Sequence, residues 1–391
     1  MKISIIGAGI GGLTAAIALR KHRPDLELEI FEGSPELKAA GAGLALAANA
    51  VAAFDQMGVK DEVLAVSNVL DGFRILEASG KLITQTNNIA INRNLQTISN
   101  FAVHRADLQR VLLAQILNLS IHLNKRVWDF RSHDHGVDIR FADCSVVNTD
   151  YVIAADGIHS IFREMLLPTS KIRYAGYTCW RGVTPSQELP GYENLEGLNA
   201  KTASETWGLG KRFGLVPLID GRIYWFACLN APRAKDERFA AFGKKELLEN
   251  FGDFHAPVAQ VIGMTDPTKI LWNDIIDFPP VKKFAFGRVL LLGDAAHATT
   301  PNMGQGACQA IEGAAILGKK LASIADPSAA FQAFEEVRLE RTSSIVSRSW
   351  QLGKLAQLAN PLLANLRNFA LRLVPESMNE RQVKALLDVE F

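Results

Sequence analysis

Cysteine is scarce. Four occur in 391 residues, at positions 144, 179, 228 and 308, and no two are spaced as a C-x-x-C pair. That excludes a zinc ribbon, a thioredoxin-like dithiol and a disulfide-framed scaffold. Few cysteines in a large chain fit a reducing compartment, so a cytoplasmic protein is expected. Neither sign of charge is in excess: 42 basic side chains meet 41 acidic ones. Without a cationic surplus to neutralise a phosphate backbone, nucleic acid is not the expected partner. No run approaches the roughly 18 consecutive apolar residues of a transmembrane helix. The N-terminus lacks the apolar region and cleavage site of a signal peptide. Gly-x-Ser-x-Gly and His-Glu-x-x-His are absent, so hydrolase readings have no support. His133-Asp134-His135 reads as a hairpin tip, because a third metal ligand cannot be placed; no metal is expected.

What is present points to an α/β protein. Residues 2–6 read as a buried strand. Gly7-Ala8-Gly9-Ile10-Gly11-Gly12 follows, then an alanine-rich helix to about Arg23, then a strand from Leu26 to Phe31 closing on Glu32. In this βαβ unit Gly7 permits a tight turn, Gly9 lets the backbone approach a pyrophosphate, and Gly12 lets helix and sheet pack closely. Glu32, at the end of the second strand, suits a ribose hydroxyl pair and would repel a 2′-phosphate. Gly41-x-Gly43 follows no strand, and Gly208 to Gly214 has the wrong spacing. The chain therefore holds one dinucleotide site, and a second electron donor would have to visit it.

Further along, residues 45–66 look helical with a break at Gly58, and residues 70–100 look like strands and turns. A helix is expected over Ala106–Leu117, a buried strand over Val289–Leu292, a long helix from about Gly304 to Ile324, and mostly helix over 328–374. The middle of the chain is strand-rich, which suggests an inserted sheet domain.

Two later segments carry a family resemblance. Tyr151-Val152-Ile153-Ala154-Ala155-Asp156-Gly157-Ile158-His159-Ser160, followed by Arg163, resembles the Asp-Gly motif of single-component FAD-dependent aromatic-ring monooxygenases. Leu292-Gly293-Asp294-Ala295-Ala296-His297, continuing through Pro301 to Gly306, resembles their Gly-Asp motif. With the first glycine turn these stand in the family's order, and they span nearly the whole chain. The resemblance implies a Rossmann-like FAD-binding domain (residues 1–70, 100–172 and 282–345), an inserted β-sheet substrate domain (71–99 and 173–281) and a C-terminal helical segment (346–391). It implies non-covalent FAD, NADH or NADPH as a transient reductant, and O₂. It places Asp294 at the ribityl chain, Pro301 near the isoalloxazine ring, and Gly304 to Gly306 at a helix start facing the flavin pyrimidine edge. Arg105 would lie near the diphosphate or ribityl chain, and Gly43 in the loop bracketing the flavin. Lys38 would serve the adenosine or diphosphate, since Gly33 stands where the family has an arginine. Asp156 would serve FAD and the visiting NAD(P)H. His297 reads either as a base or as a packed histidine.

The implied activity is hydroxylation or epoxidation of a small aromatic or heteroaromatic substrate through a flavin C4a-hydroperoxide. A flavin oxidase or reductase of the same fold, or a non-catalytic flavin-binding regulator, is the alternative; the tryptophan-rich motif of halogenases is absent.

A hairpin locates a candidate substrate site. Asp220-Gly221 marks a turn between strands at about 206–218 and 222–229. A three-residue loop pairs Leu218 with Arg222 and puts even-numbered residues on one face: Gly208, Gly210, Arg212, Gly214, Tyr224 and Phe226. The odd face carries Trp207, Leu209, Phe213, Leu215, Ile223, Trp225 and Leu229, a packed core. The glycines would leave room above the sheet, and Arg212 and Tyr224 would position a flat polar ligand. This pair also resembles the arginine and tyrosine of flavin-dependent urate hydroxylases. Finally, Leu352, Leu355, Leu358, Leu362, Leu366, Phe369 and Leu373 form a helical stripe interrupted near Pro361. It is expected to pack on the body, with a membrane-surface helix or a homodimer contact as the sharper readings.

Overall fold

The fold rests on two sheets. It is described by a computed structural model over residues 1–37, 42–184, 198–375, 377–389 and 391. The first sheet has six strands in the order Ala285–Phe286, Val289–Leu291, Tyr151–Ala154, Lys2–Ile6, Glu27–Phe31 and Ser120–His122. Its neighbours run parallel except for the first pair. Ile3, Ile5, Val152, Ile153, Leu290 and Leu291 are fully buried. Each such side chain contributes about 1.5–3 kcal/mol. Continuous apolar strands of this kind mark a parallel sheet buried in an α/β core. Helices Ile10–His22 and Gly306–Ser323 share that core.

The second sheet has seven strands: Leu271–Asp277, Arg173–Thr184, Ile223–Asn230, Lys211–Pro217, Thr202–Trp207, Gly72–Glu77 and Leu82–Asn87. One face rests on a core that includes Trp180, Phe213, Trp225, Leu247, Phe251 and Val258. In the hairpin, Arg212 lies opposite Cys228 and Val216 opposite Tyr224, the register that the three-residue turn requires. Asp220 and Gly221 both adopt positive φ to make it, at 62° and 69°.

Several expectations are corrected. The strand read over 206–218 is two strands, Thr202–Trp207 and Lys211–Pro217, joined at Gly208–Gly210. Trp207 pairs with Arg212 and so shares its face. Leu209 is on the turn and half exposed. Neither belongs to the odd-numbered core. The glycines do not leave room for a ligand: a Cβ on Gly214 would meet the Phe226 ring, on Gly210 Asn230, and on Gly208 Phe254. Residues 45–66 begin as strand Gly43–Ala47, followed by helices Ala48–Met57 and Lys60–Ala65. Helix Asn88–Leu95, capped by the Asn87 side chain, lies within the 70–100 region expected to be strands and turns. The long helix starts at Gly306, two residues after Gly304.

The C-terminal stripe is corrected as well. Leu362, Leu366, Phe369 and Leu373 are exposed on helix Pro361–Arg372 rather than packed on the body. Among the described residues no helix is long and apolar enough to cross a membrane. No cluster of histidine, cysteine and carboxylate side chains there could hold a metal. His133 pairs with Gly136 at a hairpin end.

A buried ionic cluster sets helix Gly306–Ser323 in place. Glu312 is fully buried. It accepts hydrogen bonds from Arg338, from Arg341 at 2.7 and 3.0 Å, and from Asn49 at 2.7 Å. Asn49 also donates to Gln305, the residue that opens the helix. Removing one partner from a buried cluster leaves uncompensated charge, a loss of about 3–5 kcal/mol. Glu312→Ala is therefore expected to lose that much stability, measured by urea unfolding.

Candidate active site

The two sheets enclose a cavity of about 420 Å³. Its floor comes from the first sheet. The Gly7–Gly12 turn joins strand Lys2–Ile6 to helix Ile10–His22, whose N-cap, Gly9, supplies no side-chain cap. A Cβ on Gly9 would meet nothing within 4 Å, whereas one on Gly12 would lie 1.9 Å from the Gly7 carbonyl oxygen. Gly12 is therefore needed for packing, while Gly9 opens on the cavity. The N-terminus of helix Gly306–Ser323 also lacks a side-chain cap, and Gly306 and Ala307 line the same space. Two uncapped helix starts converge there, each carrying partial positive charge. Arg105 adds a full one.

Asp294 stands on the cavity wall beside these donors. Burial raises its pKa, and Arg105 pulls it back toward ionisation. Pro301 and Gly304 line the wall nearby, as does Gly43. Gly43 lies directly under Tyr224, where a Cβ would be 2.5 Å from the ring. Glu32 is next to the glycine turn rather than on the cavity lining; it accepts from the Ala8 N–H at 2.7 Å and the Ser34 N–H at 2.8 Å. Lys38 and Gly41 lie outside the described residues.

Asp156 accepts from the Ile161 N–H at 3.1 Å, and its second oxygen is buried with no hydrogen-bond partner among the described residues. Burial pushes its pKa up to about 6. Arg163 is fully buried, its guanidinium 4.4 Å from the Phe278 ring centre. His297 is buried and off the cavity lining. Burial and then Arg338 lower its pKa to about 3, so it is neutral at physiological pH and a weak base.

These features fit a flavin dinucleotide. The bare glycine backbone and converging helix starts suit a diphosphate and an electron-rich ring edge. Asp294 offers an acceptor for hydroxyls.

The ceiling is the second sheet. Strand pairing brings Arg212, Val216, Tyr224, Phe226 and Cys228 onto one face with Cys179 and Arg181 of Arg173–Thr184 and Glu205 of Thr202–Trp207. Arg212 is buried. Its charge is met by Glu205 at 2.8 Å; it also donates to the Tyr177 hydroxyl at 3.2 Å and to Asn302. Asn302 follows Pro301 and donates to the Thr300 hydroxyl at 2.8 Å and the Ser349 carbonyl at 2.9 Å. The sheet is thus tied to the loop that carries Pro301 and Asn302 by the Arg212 guanidinium and by the Tyr177 hydroxyl, which donates to Asn302 at 3.0 Å.

Arg181 differs. It reaches the cavity with no carboxylate ion pair among the described residues, and the Tyr224 hydroxyl has no hydrogen-bond partner there. Cys179 and Cys228 sit opposite each other between these groups, both free. A hydrogen bond from Cys228 lowers the Cys179 thiol, and burial raises that of Cys228. Sequence reasoning missed Arg181, Glu205 and Asn302. Alternation over 173–182 groups Cys179 with Arg181 but does not show which face meets the cofactor.

Three outcomes follow. Gly9→Ala is expected to fold and lose FAD, whereas Gly12→Ala is expected to lower yield of folded protein; flavin absorbance and circular dichroism separate them. Asp294→Ala is expected to lose flavin, read as absorbance per protein. The Asp156 pKa lies above the unfolded carboxyl value of about 3.9. Its stabilising contribution is therefore full below about pH 4 and lost as pH rises through about 6. Asp156→Asn should remove a fall of up to about 3 kcal/mol between those limits, measured by urea unfolding across that range.

Comparison with known proteins agrees with the geometry. A family model described as FAD binding domain matches residues 1–349. Aurachin C monooxygenase/isomerase of Stigmatella aurantiaca is 36% identical over 376 residues, covering 96% of this chain and 94% of that protein. The 2-heptyl-3-hydroxy-4(1H)-quinolone synthase of Pseudomonas aeruginosa PAO1 is 31% identical over 391 residues, covering 97% and 96%. The crystal structure of Klebsiella pneumoniae HpxO with FAD and uric acid superposes with a TM-score of 0.87 at 30% identity, covering 100% of this chain and 97% of that one. A dinucleotide cradle, a second sheet facing it and matches over nearly the full length place this chain in the FAD binding domain family, among its FAD-dependent monooxygenases of aromatic and heteroaromatic substrates.

Proposed function

We propose that the chain hydroxylates a flat, fused-ring heteroaromatic that carries an acidic oxygen or ring N–H, of the quinolone or purine kind. The observation that carries this reading is the pair Arg181 and Tyr224. The pair offers, on the cavity lining, a cation that has no carboxylate ion pair among the described residues and whose neighbour is the Cys179 thiol, and a phenol beside it. Phe226 and Val216 supply apolar contact for the rings. Relatives named for a 4(1H)-quinolone and for urate hydroxylation support this reading.

In this reading Arg181 binds the acidic edge and Tyr224 the adjoining polar atom. Arg212, already matched by Glu205, acts with them by positioning: it holds the substrate sheet against Asn302. FAD, reduced by NADH or NADPH, supplies oxygen activation and insertion when bound. Gly7, Gly9 and Gly12 admit its diphosphate, with Glu32 at the adenosine ribose, Asp294 and Arg105 at the ribityl side, and Gly304 to Gly306 at the ring edge. The seven-stranded sheet excludes water and orients the acceptor carbon. O₂ enters this closed space as co-substrate. The four free thiols and the nicotinamide reductant suit the cytoplasm.

The test is substrate-stimulated NAD(P)H oxidation by the FAD-loaded protein against a panel of quinolones, purines and hydroxybenzoates. Stimulation with oxygen incorporated into a fused heteroaromatic supports the reading; stimulation by hydroxybenzoates alone refutes it. Arg181→Gln is expected to cost a charged hydrogen bond, about 1.5–3 kcal/mol. That is roughly a ten- to hundred-fold rise in KM, with FAD content unchanged and more NAD(P)H ending as hydrogen peroxide. Tyr224→Phe is expected to cost about 0.5–1.5 kcal/mol.

A further inference from the structure

Helix Pro361–Arg372 carries its apolar side outward. Leu362, Leu366, Phe369 and Leu373 follow one another at steps of four, three and four and form one stripe. They are 79, 63, 59 and 67% exposed, and Leu363 beside them is 51% exposed. A surface helix of a water-soluble body normally shows the reverse arrangement. Here the polar residues are turned inward and held. Arg367 is buried, donates to the Leu355 and Ala356 carbonyls at 3.0 and 3.1 Å, and lies 4.6 Å from the Trp207 ring centre. Asn368 and Arg372 both donate to Glu77, at 3.3 and 2.5 Å. Rolling the leucines inward would strip these partners from a buried guanidinium, so the anchoring imposes the outward stripe.

The charge around the stripe identifies what fits it. No aspartate or glutamate occurs from Arg341 to Pro375, whereas Arg341, Arg348, Lys354, Arg367 and Arg372 do. Arg348 and Lys354 are exposed, and the Arg372 charge is met by Glu77. Two copies of such a face would bring like charges together. A layer of phosphates over hydrocarbon complements both features: the leucines and phenylalanine enter the acyl boundary, and the long cationic side chains reach the head groups. We propose that this helix docks the protein on an anionic lipid bilayer, lying in the plane of its surface. Its inner face touches Trp207, the strand partner of Arg212, so the docked surface lies next to the substrate sheet. The docking face does not depend on which heteroaromatic the cavity takes.

The test is co-sedimentation of the FAD-loaded protein with vesicles of phosphatidylcholine containing phosphatidylglycerol, and with vesicles of phosphatidylcholine alone. The protein is expected to sediment with the anionic vesicles and more weakly with the neutral ones. Leu366→Glu combined with Phe369→Glu should lower partitioning by at least about ten-fold, with flavin content and melting temperature unchanged. Lys354→Ala with Arg348→Ala should reduce the preference for anionic lipid. Wild-type protein that stays in the supernatant overturns the proposal. So does equal sedimentation of the Leu366/Phe369 variant. So does a wild-type dimer that this variant converts to monomer, which would assign the stripe to a second copy of the chain.

Discussion

A buried guanidinium on the cavity lining helps hold the two halves of the site together. Arg212 is charged, so the fold must supply partners for its terminal nitrogens. Glu205 supplies the countercharge from the neighbouring strand, Tyr177 a hydroxyl from another strand, and Asn302 a carbonyl from the flavin loop. Asn302 passes the constraint on to Ser349 in helix Pro327–Ala356, where a Cβ on Gly353 would come within 2.4 Å of its amide nitrogen. Sheet, loop and helix are thus fixed relative to one another by groups that cannot be left unpaired.

That constraint explains the division of labour around the cavity. The floor is backbone: glycine turns and uncapped helix starts, which suit a large anionic cofactor shared across a family. The ceiling is side chains, and there the charges fall into two kinds. Arg212 is met by Glu205, whereas Arg181 has no carboxylate ion pair among the described residues; both line the cavity. Oxygen chemistry belongs to the flavin, so the protein needs no nucleophile or metal. What it must provide is a rigid frame, an anchor and the exclusion of water.

The readable parts of the sequence were those where local backbone chemistry dictates geometry. The Gly7–Gly12 turn could be read because a missing Cβ has a specific consequence at each position. The hairpin register could be read because Asp220-Gly221 fixes loop length, and the period of two then sorts Arg212 and Tyr224 onto one face. What failed first was one local turn: Gly208–Gly210, with Gly210 at φ 66°, splits a run that alternation had read as one strand and folds Glu205 back beside Arg212. The leucine stripe near the C-terminus was visible as a stripe. Its direction was not, because that is decided by Glu77 and Trp207, almost 300 and about 160 residues away in sequence.

The claim that Arg212 and Asn302 form one coupled unit is tested most directly by a double-mutant cycle. Arg212→Gln, Asn302→Ala and the double variant would be compared by urea unfolding of the FAD-loaded protein. Losses that fall short of additivity by at least about 1 kcal/mol are predicted, since either substitution alone already removes the Arg212–Asn302 contact. Losses that add to within about 0.5 kcal/mol would show that sheet and flavin loop are held independently, and would contradict the account.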